Sequence, residues 1–357
     1  MPDYDRAAVS SQNAVRLSVV VVTFNSSEAV REALPPLVDQ LAPGDELVVV
    51  DNASADGTAE AVGALAPEAM LVRNDANYGF AAACNAGAQN ASGDLLVLLN
   101  PDAVPGPGFC DAIRRPLLEQ RGWAAWMGLV TAEGRRAINT SGGVVHFTGI
   151  SWAGEAGRPA SEAPRSPREV GFVSGACMAV PRDTWLRHGG FAADYFMYFE
   201  DVDLSLRLRL AGERLGLEPE ARVEHHYRFA KGPIKWRLLE RNRWATVLRI
   251  WPGPLLVLLA PALVATELVL VGTSIARGWG GQKLLATLDT AKALPHLLRA
   301  RREIQKDRCI RAAEFAAHLT PELTSPYLGR LATLVPLRLV LRLYWRSVLA
   351  LLRVMRV

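Results

Sequence analysis

The amino-terminal half of the chain alternates short apolar runs with segments of helical spacing. The apolar runs are rich in valine and leucine and a few residues long, which is typical of strands buried on both faces of a parallel sheet. These predicted strands are residues 17–23, 46–50, 70–73 and 95–99. The predicted helices between and around them are residues 26–40, 58–65 and 79–90. The alternation predicts an α/β fold with an open parallel sheet, whose ligands bind beyond the carboxyl ends of the strands.

The middle of the chain is less regular. Residues 153–168 are rich in Pro, Gly and Ser, which predicts a flexible loop. Order resumes at residues 170–180, and residues 201–211 have helical spacing. Residues 221–224 are predicted as a strand that leads into two histidines.

Beyond residue 250 the pattern changes to long, mostly apolar segments. Residues 254–275 carry one charge, Glu267, and are numerous enough to cross a bilayer. A glutamate in mid-span costs about 2–3 kcal/mol on insertion, so a kinked, in-plane or re-entrant element fits as well. Residues 334–357 place arginines at four-residue spacing among Leu and Val, which is typical of a cationic helix at a membrane interface. A helix packed on the protein with a basic solvent face is the alternative.

Composition and charge narrow the class of protein. Half of the residues are hydrophobic, which excludes a disordered chain. Residues 231–357 hold 21 Lys and Arg against 7 Asp and Glu, whereas residues 1–230 are acidic. Because stacking aromatics do not interleave with the basic residues, a lipid surface is favoured over nucleic acid as their partner. The four cysteines share no short spacing, so we expect reduced thiols, and the polar first residues predict no signal peptide.

These observations predict three parts. Residues 1–16 form a flexible tail, residues 17–250 form the α/β domain, and residues 251–357 form a helical, membrane-associating region.

Polar side chains follow the predicted strands where ligands would bind. Asp51 and Asp56 belong to a DNASADG segment that could contact a ribose or a base, although these residues also form turns. Gly79 and the alanines after it allow a helix amino terminus to approach an anion. Asp102 could hold a divalent cation that bridges two phosphates. The chain lacks the P-loop pattern and the glycine fingerprint of dinucleotide-binding oxidoreductases.

A further acidic cluster begins at Glu200, after an aromatic run. A carboxylate there could be partly desolvated, which raises its pKa and makes it a better general base. Capping of a helix by Asp201 is the structural alternative. His225 lies about 24 residues further on and is a candidate second metal ligand beside Asp102, with His226 as a register alternative.

Taken together, these motifs resemble the family 2 glycosyltransferases of GT-A fold, in particular their bacterial rhamnosyltransferase-like branch. The matching segments are VVVVTFN, VVDNASADGT, NYGFAAACNAG, LLVLLNPDA, FVSGACMAVPRDTW, YFMYFEDVDLSLRLRLAG and VEHH, within residues 17 to about 250. The resemblance implies a Rossmann-like, mostly parallel sheet.

The resemblance also assigns roles to individual residues. It implies that the donor nucleotide is bound by Thr23, Asn25, Asp51, Asp56, Gly79, Asn85 and Asn100, the last standing where the DxD motif of the family has its first aspartate. Asp102 and His225 would hold Mg²⁺ or Mn²⁺, Asp201 with Glu200 would supply the base, and Gly175 and Trp185 would shape the acceptor side. Arg241 and Arg243 would lie near the diphosphate, with lipid headgroups as the alternative partner.

The activity implied is an inverting, metal-dependent sugar transfer in cell-surface polysaccharide synthesis. The expected donor is dTDP-L-rhamnose, with UDP- or GDP-sugars as alternatives. The expected acceptor is a glycan on a polyprenyl diphosphate lipid at the cytoplasmic face of the cell membrane. An inactive nucleotide-sugar-binding scaffold is the alternative class.

Overall fold

The structure is a computed structural model that describes residues 15–226, 232–325 and 334–356. Most of the predicted tail, residues 1–14, lies outside this part, as does Val357. The backbone N–H of Arg16 donates to the carboxylate of Asp94 at 3.0 Å, so the last residue of the predicted tail is bonded to the domain.

The strands and helices alternate through the first half of the chain, and helices predominate after residue 230. The strands are β1 (Leu17–Thr23), β2 (Glu46–Asp51), β3 (Met70–Arg73), β4 (Leu95–Leu99), β5 (Ala103–Pro105), β6 (Trp123–Ala132), β7 (Ala137–Thr140), β8 (Gly143–Val145), β9 (Ser151–Ala153), β10 (Arg168–Glu169), β11 (Cys177–Pro181) and β12 (Arg214–His225). The helices are α1 (Ser27–Val38), α2 (Thr58–Leu65), α3 (Phe80–Asn90), α4 (Phe109–Leu118), α5 (Arg182–Arg187), α6 (Glu200–Leu210), α7 (Ile234–Ile250), α8 (Gly253–Ala276), α9 (Gly280–Lys306), α10 (Ala312–Ala316) and α11 (Val335–Val354). The α/β prediction is confirmed, and β1, β3, β4 and α2 have the predicted bounds.

The first half of the sheet is parallel, in the order β3-β2-β1-β4. Its strands are apolar on both faces, and β1 and β4 are fully buried because helices cover the two sides of a parallel sheet. Thr23 pairs in register with Asp51 at the carboxyl ends of β1 and β2. The polar residues that follow the strands therefore meet at one edge of the sheet.

The second half makes the sheet mixed. Strand β11 runs antiparallel between β4 and β6, and β12 runs parallel to β6. Strand β12 is longer than the predicted 221–224, and its end pairs antiparallel with β5, so that His225 lies opposite Ala103. This pairing carries His225 to the edge where β4 ends.

A second hydrophobic core joins α6 to the helices α7, α8, α10 and α11. Phe147, Val202, Val247 and Leu259 are all buried in it. Helix α7 shares this core with the helices after residue 250, so the predicted domain boundary at 250 runs through a packed unit. The three-part division remains a prediction.

Helix α8 is the one helix in the described ranges that is long and apolar enough to cross a bilayer. Leu255, Leu259 and Leu263, four residues apart, are buried against the protein, whereas Val264 and Leu268 on other sides of the helix are exposed. The helix therefore packs along one stripe on the rest of the chain.

The segment 153–168, expected to be a loop, is largely irregular and contains one turn of 3-10 helix at Ala160–Glu162. Arg158 pairs with Glu162 at 2.5 Å and Arg168 with Glu155 at 2.8 Å. Ion pairs thus connect residues along this segment.

Candidate active site

A cavity of about 1070 Å³ opens at the carboxyl ends of β1 and β4 and extends to α6, α7 and the end of α8. Ten of the predicted site residues line it: Asn25, Asp56, Gly79, Asn100, Asp102, Gly175, Glu200, Asp201, His225 and Arg243. Five others, all in the described part of the chain, do not: Thr23, Asp51, Asn85, Trp185 and Arg241. The tertiary structure thus gathers residues from positions 25 to 243 around one space.

Asp201 lies in the first turn of α6, is half-buried and lines the cavity. Its Oδ2 accepts a hydrogen bond from the Gly175 N–H at 3.0 Å, and its Oδ1 accepts one from the Val202 N–H at 2.8 Å. Burial raises the pKa of Asp201, although both backbone hydrogen bonds act in the opposite direction. The result is an oriented carboxylate with an increased affinity for a proton.

The loop that leads into α6 has a strained backbone. Phe196, Tyr198 and Phe199 have φ values of 64°, 68° and 70°, which side-chain-bearing residues rarely adopt. The fully buried Asn242 of α7 donates from its Nδ2 to the carbonyls of Tyr195, Met197 and Tyr198, at 3.0, 3.0 and 2.7 Å. Through Asn242, helix α7 therefore holds the loop 195–199 in its conformation.

Gly79 allows this loop to approach α3. Its φ is +86°, and a Cβ at this position would lie 2.5 Å from both the ring and the carbonyl oxygen of Phe196. That carbonyl accepts a hydrogen bond from the Ala81 N–H at 3.1 Å. The amino terminus of α3, predicted to face an anion, thus gives one of its N–H groups to the protein.

Asp102 and His225 are in direct contact. The Nε2 of His225 lies 3.0 Å from Asp102 Oδ1 and 3.2 Å from Asn100 Nδ2. His225 is buried and Asp102 is partly exposed to the cavity. His226 follows the end of β12 and also lines the cavity, but its Nδ1 lies 3.1 Å from a carboxylate oxygen of Glu32. These contacts favour His225 as the partner of Asp102.

Asp102 and His225 supply part of the ligand set that a divalent cation requires. One carboxylate and one imidazole are ligands that Mn²⁺ accepts, and both are close together at the cavity. Within residues 15–226, 232–325 and 334–356 no group of three or more His, Cys, Asp or Glu could hold a metal alone. A cation here would need further oxygen ligands from a substrate or water.

Asp51 and Asp56, predicted to bind the nucleobase or ribose of the donor, accept hydrogen bonds from groups of the protein itself. Asp51 is buried behind the cavity wall, and its carboxylate accepts hydrogen bonds from Thr23 and Ser54. Asp56 is exposed and lines the cavity, but it accepts from Thr58 and from the Ser27 N–H. These bonds, chiefly that from Thr58, lower the pKa of Asp56 to about 2.

Asn85, predicted at the nucleotide, and Trp185, predicted at the acceptor side, do not line the cavity. The side-chain amide of Asn85 bonds both the N–H and the carbonyl of Phe191, at 2.9 and 2.8 Å. Trp185 is buried in the core beside Phe191, with ring centroids 4.9 Å apart. The two side chains fix the Phe191 segment and do not reach the cavity.

The two predicted diphosphate arginines are likewise occupied. Arg241 donates to the backbone carbonyls of Asp194 and Tyr195, and burial lowers the pKa of its guanidinium. Arg243 is 2% exposed and pairs with Glu240 and Glu267, at 3.0 and 2.8 Å. Both guanidiniums are thus engaged within the protein, although Arg243 also lines the cavity, and their role at a diphosphate or a lipid headgroup stays a prediction.

Lys283 completes a buried charge cluster with Arg243, which we define as Glu240, Arg243, Glu267 and Lys283. Lys283 Nζ lies 2.5 Å from Glu240 and 2.6 Å from Glu267. Burial alone would raise the pKa of Glu240, but the positive charges of Arg243 and Lys283 together have the larger effect. The pKa of Glu240 therefore lies below its usual value. The single charge of α8 is thus neutralised by α7 and α9.

Several cavity-lining residues have no signal in the sequence motifs. Lys235 and Trp236 come from α7, Trp152 from β9, and Trp279 precedes α9. They belong to elements that sequence periodicity did not predict. Unusual local density of tryptophan after residue 230 is the signal that could have found two of them.

Known proteins are similar to this chain in sequence. Residues 18–139 match the family model described as Glycosyl transferase family 2. The chain is 29% identical to N-acetylglucosaminyl-diphospho-decaprenol L-rhamnosyltransferase of Mycobacterium tuberculosis, over 73% of this chain and 94% of the relative. It is 36% identical to the rhamnosyltransferase WbbL of Escherichia coli, over 23% of this chain and 33% of that relative.

Solved structures share the fold. The structure of GalNAc-T7 with UDP, GalNAc and Mn²⁺ superposes with a TM-score of 0.55 at 17% identity, over 68% of this chain and 49% of that chain. The structure of Staphylococcus aureus TarS gives a TM-score of 0.51 at 14% identity, over 93% of this chain and 53% of that chain. Together with the mixed, mostly parallel sheet, these similarities confirm the predicted GT-A fold.

Proposed function

We propose that the chain, which is similar to family 2 glycosyltransferases and to rhamnosyltransferases, transfers L-rhamnose from dTDP-L-rhamnose to a hydroxyl of a lipid-diphosphate-linked glycan. Its similarity to an enzyme named for N-acetylglucosaminyl-diphospho-decaprenol supports N-acetylglucosamine as the accepting sugar. The single observation that carries the proposal is one cavity that contains Asp201 on α6 and the Asp102–His225 pair.

Asp201 acts as the general base. Its carboxylate takes the proton of the acceptor hydroxyl as the oxygen of that hydroxyl bonds to the anomeric carbon, and the bond from that carbon to the diphosphate breaks. Attack on the face opposite the leaving group inverts the anomeric configuration. The raised pKa of Asp201 favours this proton transfer, and the Gly175 and Val202 N–H groups keep the carboxylate in place.

Asp102 and His225 would hold the divalent cation, Mg²⁺ or Mn²⁺, with Asn100 beside them. When bound, such a cation neutralises negative charge that develops on a departing diphosphate. Asn25, Asp56 and Gly79 line the cavity on the side where the nucleotide would bind.

We place the enzyme at the cytoplasmic face of the cell membrane. The exposed apolar side chains of α8 and α11 and the basic balance of residues 231–357 support contact with an anionic lipid surface. Because one stripe of α8 packs on the protein and Glu267 is paired inward, α8 would lie along the interface.

The test uses Asp201→Asn, with Asp183→Asn, on the exposed face of α5, as the matched control. We expect Asp201→Asn to lose transfer to a lipid-linked N-acetylglucosamine acceptor. Thermal stabilisation by dTDP-L-rhamnose with Mn²⁺ should persist, since ligand at a hundred times its dissociation constant contributes about 2.7 kcal/mol. Asp183→Asn should keep both properties.

Three outcomes would change the proposal. Retained turnover in Asp201→Asn removes Asp201 as the base. Stabilisation by UDP- or GDP-sugars and not by dTDP-L-rhamnose changes the donor. A wild-type protein that binds a nucleotide sugar yet neither transfers nor hydrolyses it would be the inactive scaffold.

A further inference from the structure

The cavity has an apolar arm on the side away from the strand ends. We define this arm by Trp236 and Leu239 of α7, Leu270 of α8 and Trp279, all of which line the same cavity as Asp201. The Trp236 and Trp279 rings are stacked, with centroids 5.1 Å apart and an interplanar angle of 18°. Trp236 is 42% exposed, so the arm reaches the protein surface.

The helices that form and adjoin the apolar arm expose many apolar side chains. All but five of the exposed large apolar side chains in the described part of the chain lie beyond residue 233. Leu268 and Ile275 of α8 are each 69% exposed, and Leu284 of α9 is 60% exposed. A concentration of exposed apolar side chains of this kind is typical of contact with a lipid or a protein, and tryptophan is favoured where hydrocarbon meets water.

A lysine side chain lies between the apolar arm and the loop 195–199, which leads into Glu200 and Asp201. Lys235 lines the cavity, and its Nζ lies 6.0 Å from the ring centroid of Tyr198, two residues before Glu200. Lys235 adjoins Trp236 in the chain and approaches the ring of Tyr198, so its charge lies between the arm and the loop that leads to Asp201. A positive charge at this position attracts an anionic group of a ligand in the cavity.

We propose that the apolar arm binds the hydrocarbon chain of the lipid acceptor, with Lys235 beside its diphosphate. The inference rests on the proposed function and adds a subsite to it. An acceptor has a sugar, a diphosphate and a hydrocarbon chain in linear order, and the cavity presents Asp201, Lys235 and the apolar arm in the same order. Continuity of the arm with the exposed apolar helices allows the chain to remain in contact with the lipid phase.

Two variants perturb the apolar arm in opposite ways. Trp236→Ala removes an aromatic wall, and Leu270→Trp fills the space, so a shared effect would not arise from one folding defect. Val264→Ala is the matched control, because Val264 is 60% exposed on α8 and does not line the cavity. Each protein is assayed in full length and checked by its melting temperature.

The assay compares two acceptors in detergent micelles, N-acetylglucosaminyl diphosphate esterified with a decaprenyl chain or with a methyl group. We expect both arm variants to raise the KM for the decaprenyl acceptor by about tenfold, because Trp236→Ala loses one good aromatic contact with the hydrocarbon chain and Leu270→Trp excludes that chain from the arm. Their KM for the methyl acceptor and for the donor should match the wild type, as should every parameter of Val264→Ala.

The outcomes separate this inference from the proposed function. If the wild type transfers sugar to the decaprenyl acceptor but the arm variants change neither acceptor, or both equally, the apolar arm does not bind the chain. If Val264→Ala matches the arm variants, general contact of α8 with the micelle is responsible. If the wild type uses neither acceptor, the proposed function itself fails, and this subsite with it.

Discussion

Asn242 is expected to position the catalytic loop, and Asn242→Ala tests this. The side chain is fully buried, and its amide orientation is fixed because Oδ1 accepts from Arg241 at 2.8 Å. Its Nδ2 then holds three carbonyls of the loop 195–199, which is followed directly by Glu200 and Asp201. Alanine would remove all three contacts while leaving Asp201 chemically intact.

The magnitude follows from the contacts. Three hydrogen bonds at about 1 kcal/mol each would give about 3 kcal/mol. Release of the strain at Phe196, Tyr198 and Phe199 offsets part of that loss, so we expect a net destabilisation of about 1–3 kcal/mol. In a chain of this size this lowers the melting temperature by roughly 2–10 °C. Because a displacement of about 1 Å at a catalytic group costs roughly a hundredfold, kcat should fall by that order.

Asn85→Ala is the matched control for this prediction. Asn85 also holds backbone, at Phe191, through two hydrogen bonds, but it does not line the cavity. It should lower the melting temperature by a few degrees at most, at about 1 kcal/mol per bond, and leave kcat unchanged. Steady-state kinetics well below both melting temperatures separate the two. If Asn242→Ala loses stability yet keeps its kcat, or if both variants lose kcat equally, Asn242 does not position the loop.

Three further predictions concern the base, a glycine and the buried charge cluster. Because the pKa of Asp201 is raised above the ordinary aspartate value of about 3.9, kcat/KM should rise with pH as Asp201 loses its proton, at a pH above that value. A pH–rate profile that is flat down to about pH 4 would contradict this. Gly79→Ala should cost about 2–4 kcal/mol in chemical denaturation, since its Cβ would meet Phe196 at 2.5 Å, whereas Gly63→Ala, in an open helical position, should be neutral or stabilising. Glu267→Gln leaves Arg243 and Lys283 with one carboxylate between them. Allowing for the partial exposure of Glu267, we expect the free energy of unfolding to fall by about 2–4 kcal/mol. An unchanged melting curve would show that the buried charge cluster contributes little to stability.

The sequence predicted the parallel half of the sheet well because its signal is local. Strands β1 and β4 are continuous apolar runs, and such a run can be buried on both faces wherever it lies in the chain. Helix α9 and strand β6 gave no comparable signal. The partners that order them come from distant parts of the chain, as in the pairing of β6 with β11 and β12.

The candidate site was predicted in part for the same reason. The position of Asp201 at a helix start and of Asp102 after a strand are local facts, and both residues line the cavity. The contact between Asp102 and His225, 123 residues apart, depends on the pairing of β12 with β5. The residue types and the strand predicted before His225 suggested that pair, and the resemblance to a known family supported it, but the strand pairing that brings the two side chains together was not predicted.

The sequence by itself determined the α/β alternation, the carboxylates at the strand ends and the basic, apolar character of the last third. Only the tertiary structure decided how individual polar groups are used. Asn85 bonds Phe191, and Arg243 is neutralised by Glu240 and Glu267. The physical reason is that a buried polar group must find partners. Those partners come from whichever element packs against it, and local sequence does not specify that element.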